Sequence, residues 1–209
     1  MGLYYFEVNN RYRLGIWKMQ EDEDKLRKTL KDYVLSVPYT NPGKRVEYLS
    51  VRALALQMDI EPPEIAYHPS GKPYLKDSET NISISHTKGY AAILLSEIPF
   101  TGVDIEHRSD KVVKVRRKFI GPEEERNIPK EAEAEIAALI IHWSAKESLF
   151  KAIPDEGVDF INELRIVDFT TLLDKGSFHA KAIRSAMDFQ VDYWVEKEFV
   201  LTACFPSAR

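Results

Sequence analysis

HWSAKESLFKAI, residues 142–153, reads as the end of one long helical run, and it sets a carboxylate where a hydrophobe is expected. At about 100° per residue, Ile136, Leu139, Ile140, Trp143 and Phe150 fall on one stripe, and Glu147 falls in its middle. An isolated buried carboxylate is costly, so such a group has a partner: a cation, a metal ion or a set of donors. That partner lies elsewhere in the chain.

A chain of 209 residues holds one domain with a sizeable core or two small halves. Hydrophobic residues at 44% and charged residues at 30% are those of an ordinary globular protein. The net charge of −4 argues against a nucleic-acid binder driven by overall charge. Cys204 is the one cysteine, so no intrachain disulfide forms, which fits a reducing compartment. The opening MGLYYFEVNN has no basic segment followed by an apolar core, and the longest apolar stretches, such as 137–141, are too short to span a bilayer. These features predict a cytoplasmic protein that binds neither membrane nor nucleic acid.

Residues 3–8 and 12–17 gather β-formers around Asn9, Asn10 and Arg11, which predicts a hairpin. A charged amphipathic helix is expected over 21–34, and residues 38–43, PYTNPG, break the chain. Val46, Leu49, Ala53 and Leu56 predict a second helix over 44–59, ended by Pro62 and Pro63. Short strands are expected at 64–67, 82–85 and 90–96, with a turn at 68–73. The second half starts at TGVDIEHRSD, a short strand entering a loop. It continues with a basic helix over 111–119, the long helix over 131–153, and strands near 163–169, 178–184, 189–196 and 198–205. Each half thus holds helices and a small sheet, and KGYAAILLS is faintly echoed by KEFVLTACF. The pattern predicts an α+β chain of two similar halves with a seam near residue 100.

GVDIE supplies the best partners for Glu147. In an extended segment residues two apart point the same way, so Asp104 and Glu106 share a face while Val103 and Ile105 turn toward the core. Alone, D-x-E more often marks a solvated strand face than a site. With Glu147 added, three carboxylates repel one another unless a cation sits among them, and hard oxygen ligands suit Mg²⁺ or Mn²⁺. Lys146 and Lys151 lie at the edges of the helical stripe, and Lys151 is one turn beyond Glu147. An ordinary surface Glu–Lys pair has the same spacing. A covered lysine beside a metal site instead points to an anionic substrate, as in phosphate chemistry. In the first half, HPSGKPYL is a turn with Lys72 at its tip, and ISISHTKGY sets Ser85 and His86 at a strand end. All three can donate to phosphate oxygens, although turn chemistry and a structural histidine explain them singly. Neither G-x-x-x-x-G-K-(S/T) nor G-x-G-x-x-G is present.

GVDIE followed some forty residues later by WSAKESLFK resembles the paired signature G-(I/V)-D-x-E and W-(S/T)-x-K-E-(A/S)-x-x-K of the 4′-phosphopantetheinyl transferases. The GKPYL turn and SISHT are similar to the monomeric, pseudo-dimeric type that activates surfactin synthetase and other peptide and polyketide synthases, and the likeness runs from about residue 44 to 155. The resemblance implies two α+β halves related by a pseudo-two-fold: residues 1–100 contacting coenzyme A, and residues 101–209 carrying the metal site, the catalytic helix and the carrier-docking surface. It implies a holo-acyl-carrier-protein synthase activity. The phosphopantetheine arm of coenzyme A passes to a serine of an apo acyl or peptidyl carrier protein, and adenosine 3′,5′-bisphosphate is released. Carried over by position, Asp104, Glu106 and Glu147 hold Mg²⁺, with Mn²⁺ as the alternative. Glu147 serves as base and Lys151 stabilises charge on the phosphates. Arg45, Lys72, Ser85, His86 and Lys151 contact coenzyme A, and the substrate lies in a cleft between the halves. The family's Asn-x-Ser-His reads Ser83-Ile84-Ser85-His86 here, which removes the asparagine side chain.

Two other readings stay open at this point. A different Mg²⁺-dependent phosphoryl or nucleotidyl transferase would use the same carboxylates but leave the Trp-x-x-Lys-Glu motif as coincidence. A binding module for RNA would use KVVKVRRKF, residues 111–119, against the acidic balance of the chain.

Overall fold

The first turn is built by one side chain. Asn9 Oδ1 accepts from the N–H groups of Arg11 and Tyr12 at 2.9 and 3.0 Å, closing β1 (Leu3–Val8) onto β2 (Arg13–Lys18). A computed structural model of the chain describes residues 2–31, 33, 36–170 and 173–207. The chain divides into two units, Met1–Glu97 and Ile98–Arg209, each of mixed helix and antiparallel sheet.

In the first unit Asp22 caps α1 (Glu23–Thr29) by accepting from Lys25 N–H. This helix is shorter than the predicted 21–34, and residues 32 and 34 of that span lie outside the described residues. The second helix, α2 (Pro42–Gln57), starts inside the stretch read as a break. Asn41 caps it, and Pro42 occupies the first turn, where a missing N–H removes no helical bond. A 3₁₀ turn at Pro62–Glu64 leads to β3 (Ile65–Tyr67), which pairs with β4 (Pro73–Leu75), a strand not expected from the sequence that begins at the last residue of the predicted turn. β5 (Asn81–Thr87) and β6 (Tyr90–Ser96) complete a sheet of order β1-β2-β6-β5. Leu49, Ala53, Leu54 and Met58 from α2 and its C-cap pack with Trp17, Ile82, Ile93 and Leu95 to form this unit's core.

The second unit opens with β7 (Gly102–His107). The basic helix expected over 111–119 is α3 (Lys111–Val115) followed by a 3₁₀ turn, Arg116–Lys118, and a further short helix, α4 (Pro122–Glu125), intervenes before α5 (Ala132–Ala152). Then come β8 (Leu164–Ile166), β9 (Lys175–Ala182), β10 (Met187–Val195) and β11 (Phe199–Pro206), in an antiparallel sheet of order β7-β11-β10-β9-β8. Ile141, Leu149, Phe178, Phe189, Val191 and Cys204 belong to the core between α5 and this sheet. The two echoed segments of the sequence form β6 and β11. Each is the last strand of its unit and pairs with the strand that precedes the unit's long helix, β2 or β7, and with the strand just before itself. Among the described residues no helix is long and apolar enough to cross a membrane.

Candidate active site

Gly102, Asp104 and Glu106 share one face of β7, the face that lies against α5. Gly102 lets the helix settle directly on the strand, since a Cβ there would sit 2.0 Å from the Ser148 carbonyl oxygen. Small residues line the buried side of α5, among them Ala137, Ser144, Ala145, Ser148 and Ala152, and Ser144 Oγ meets Thr202 Oγ1 of β11 at 3.0 Å. This close approach brings Lys151 to Asp104. Its Nζ donates to Asp104 Oδ1 at 2.7 Å and to the Val103 carbonyl at 3.2 Å, and Asp104 is only 3% exposed.

The stripe bearing Glu147, expected to be largely covered, is the more open face of α5. Leu139 and Ile140 are buried, but Ile136, Trp143, Glu147 and Lys151 are half-buried and Phe150 is 38% exposed. Glu147 therefore stands at the edge of the packed region. Burial, then the charge of Asp104, pushes its carboxyl up to about 7; Lys151 pulls it down and Glu106 adds to the rise. Glu106 is raised by burial and by Asp104, against the pull of a hydrogen bond from Trp143 Nε1 at 2.9 Å and the charge of Lys151.

The three carboxylates thus act on one another, with Lys151 set among them. Among the described residues no three His, Cys, Asp or Glu side chains are gathered closely enough to hold a metal ion. Lys151 engages Asp104 Oδ1 and Trp143 engages Glu106 Oε1 in this conformation. The chemistry of the donor set nevertheless fits a hard divalent cation. All the donors are oxygens, and the ionised forms of Glu106 and Glu147 are disfavoured until further positive charge offsets them.

Lys146 is not at an edge of the stripe but fully buried, and it acts as a clasp. Its Nζ donates to Glu124 Oε2 at 2.7 Å and to the carbonyls of Phe119 and Phe160 at 2.6 and 2.8 Å. Glu124 also accepts from the N–H groups of Gly121 and Ile166. Burial lowers the Lys146 pKa, and the adjacent Glu124 charge opposes that shift. The clasped loops carry Phe119 and Phe160, whose rings flank Trp143 with centroids 5.2 and 5.5 Å away. Glu124 and the bond from Trp143 to Glu106 were both missed in the sequence. Glu124 gave no signal, whereas a tryptophan on a half-covered face needs an acceptor for its N–H.

The residues expected to meet phosphates in the first unit are spread over three elements. Lys72 is exposed at the tip of the β3–β4 hairpin, where Gly71 adopts φ +86° and a Cβ would meet nothing within 4 Å. Ser85 is buried and His86 exposed, because adjacent residues of β5 point to opposite faces. His86 Nδ1 lies 3.9 Å from Glu47 Oε2 of α2. Arg45 is held by Glu23 through two bonds, Nε to Oε2 at 2.8 Å and Nη2 to Oε1 at 2.6 Å, and it donates to the Tyr39 carbonyl. Hydrogen bonding from Arg45 is the main reason the Glu23 carboxyl is lowered to about 2.

Comparison with known families finds a match over residues 101–204, the 4′-phosphopantetheinyl transferase superfamily. The matched stretch contains β7, α5 and all four of Asp104, Glu106, Glu147 and Lys151. No curated protein matches the chain.

Proposed function

The chain belongs, through residues 101–204, to the 4′-phosphopantetheinyl transferase superfamily, and from that premise we propose its reaction and its site. It transfers the 4′-phosphopantetheine group of coenzyme A to a serine of an apo acyl or peptidyl carrier protein, as a holo-acyl-carrier-protein synthase, and releases adenosine 3′,5′-bisphosphate. The observation that carries this reading is the junction of β7 and α5, where two carboxylates of the strand meet a carboxylate and a lysine one helical turn apart.

Asp104, Glu106 and Glu147 hold Mg²⁺ or Mn²⁺, whose chemistry when bound is to offset charge on the pyrophosphate oxygens of coenzyme A. Glu147, on the open face of α5, takes the proton of the carrier serine hydroxyl. Lys151 presents its ammonium to the phosphate oxygens while keeping Asp104 oriented. Lys72, Ser85, His86 and Arg45 donate to coenzyme A; of these, Arg45 already carries an anion, Glu23, with which a phosphate must compete. No covalent enzyme intermediate is required, since phosphoryl transfer asks chiefly for alignment and charge stabilisation. Cys204 is buried and its thiol is pushed up to about 12 by desolvation, so it is unreactive.

The carrier protein docks beside Glu106. A cavity of about 290 Å³ there is walled by Val112 and Val115 of α3 and by Ile140 and Trp143 of α5, with Lys111 at its margin. The shared connectivity around β6 and β11 supports reading the two units as a duplicated pair, and with it a monomer that needs no second copy; the lone, buried Cys204 fits the proposed cytoplasmic location. The test is to incubate the protein with coenzyme A, Mg²⁺ and a panel of apo carrier proteins, and to follow intact mass. One or more carriers gain the mass of phosphopantetheine; no gain on any carrier overturns the proposal.

A further inference from the structure

Trp143 grips Glu106 from the helix side. Its Nε1 donates to Glu106 Oε1 at 2.9 Å, across 37 residues of sequence. Glutamate has three side-chain torsions, and Glu106 lies one residue from the end of β7, so the strand alone fixes its carboxylate poorly. The indole, by contrast, is fixed. Phe119 meets it edge-on at 5.2 Å and Phe160 lies tilted against it at 5.5 Å, and the carbonyls of those two phenylalanines are both held by the buried ammonium of Lys146. An indole N–H donates a single bond, so it takes one oxygen of Glu106 and leaves the other for a further partner.

We propose that Trp143 is a positioning residue for the cation site: through its N–H it holds the Glu106 carboxylate in the orientation that binds a divalent cation. This inference rests on the reading of Asp104, Glu106 and Glu147 as cation ligands. Hydrogen bonds that orient a ligating carboxylate are worth roughly 10- to 100-fold in metal affinity. Lys146, Phe119 and Phe160 then form the support that keeps the indole in place, which gives the buried lysine of the WSAKE segment a part in the site without contact to any ligand.

The variant Trp143→Phe removes the N–H and keeps an aromatic ring between Phe119 and Phe160. Calorimetric titration with Mn²⁺ and with Mg²⁺, each with and without coenzyme A, is expected to show affinity weakened about 10- to 100-fold in Trp143→Phe, while the metal-free melting temperature stays close to that of wild type. Affinity within twofold of wild type overturns the role of Trp143 while leaving the cation site intact. Absence of any cation binding by the wild-type protein overturns the cation site itself, and this inference with it. A measurement on the wild-type chain covers the case of a variant that does not fold. The three tryptophans, Trp17, Trp143 and Trp194, give separate indole N–H resonances in a ¹⁵N-labelled sample. The Trp143 resonance, assigned by Trp17→Phe and Trp194→Phe, shifts on saturation with Mg²⁺; a resonance unmoved at saturating Mg²⁺ overturns the proposal.

Discussion

Gly102 and Ser148 stand as close as strand and helix backbones allow: a Cβ at 102 would lie 2.0 Å from the Ser148 carbonyl oxygen and 3.2 Å from the Ala152 amide nitrogen. No rotamer change relieves such a clash, because the obstructing atoms are backbone. Gly102→Ala must therefore push α5 away from β7, separating Lys151 from Asp104. Overpacking of this kind costs about 1–3 kcal/mol or more, and urea unfolding measures it. Transfer activity is expected to fall further than stability does, since the 2.7 Å contact of Lys151 with Asp104 depends on the same spacing. Wild-type stability and activity in Gly102→Ala would mean that the close approach is not needed.

Asp104→Ala and Glu147→Gln are expected to lose transfer while the fold persists. The first removes the carboxylate that Lys151 holds; the second keeps the shape of Glu147 and removes its charge and basicity. Loss of a general base alone lowers the rate by about 10²–10⁴-fold. Single-turnover assays by mass spectrometry at saturating Mg²⁺, with circular dichroism as the control for folding, give the result. Near-normal turnover by either variant removes that residue from the mechanism.

How far the site was legible in the sequence depends on residue size. The D-x-E strand, the long helix and the turn carrying Lys72 follow from periodicity and turn chemistry. The orientation of α5 did not, because the eye follows Trp143 and Phe150, while the side that packs is made of Ala137, Ser144, Ala145, Ser148 and Ala152. Small residues signal close backbone approach rather than hydrophobic bulk, and a helix buried on most sides has no strong period to read. The Lys146–Glu124 pair spans 22 residues and the Trp143–Glu106 bond 37, and no local pattern specifies either. β4 escaped notice because it is three residues long and begins with Pro73.

Lys146→Met tests the clasp beneath the site. The substitution leaves Glu124 buried at 4% exposure without its cation, though still accepting from Gly121 and Ile166. Breaking a buried pair in this way costs about 3–5 kcal/mol. Chemical denaturation is expected to show a loss in that range, and adding Glu124→Gln to Lys146→Met restores part of it. A change below about 1 kcal/mol in Lys146→Met would show that the pair contributes little.

His142 gives the second unit a defined acid sensitivity. It is fully buried, its Nδ1 bonds the Ala138 carbonyl at 2.8 Å, and its Nε2 has no hydrogen-bond partner among the described residues. Desolvation lowers its pKa from 6.5 to about 4. The unfolded chain therefore binds a proton between those values that the folded protein refuses. Stability is full above pH 6.5, falls as pH drops toward about 4, and levels below that, so far as this group is concerned. The loss amounts to about 3 kcal/mol. Unfolding measured across this window is expected to be shallower in His142→Leu than in wild type, and identical slopes would assign the acid sensitivity to other groups.

Docking of the carrier is testable through charge. Arg116 is engaged by Glu125 and Glu135 at 2.7 and 2.6 Å, so it belongs to the fold. Lys111, Lys114, Arg117 and Lys118 are exposed, and Val115 is 38% exposed beside the cavity at Glu106. A partner with an acidic surface around its serine would meet this basic segment first and the apolar cavity second. Exposed complementary charges act mainly on encounter rate and are screened by salt. The double variant Lys114→Glu with Arg117→Glu is therefore expected to lower kcat/KM for the carrier about tenfold or more at low ionic strength, with the deficit shrinking as salt rises. The KM for coenzyme A is expected to stay unchanged, because α3 lies outside the elements proposed to hold it. Steady-state kinetics with each substrate varied over a salt series decides the matter: equal carrier kinetics in variant and wild type at low salt would leave α3 as a solvated face and place docking elsewhere.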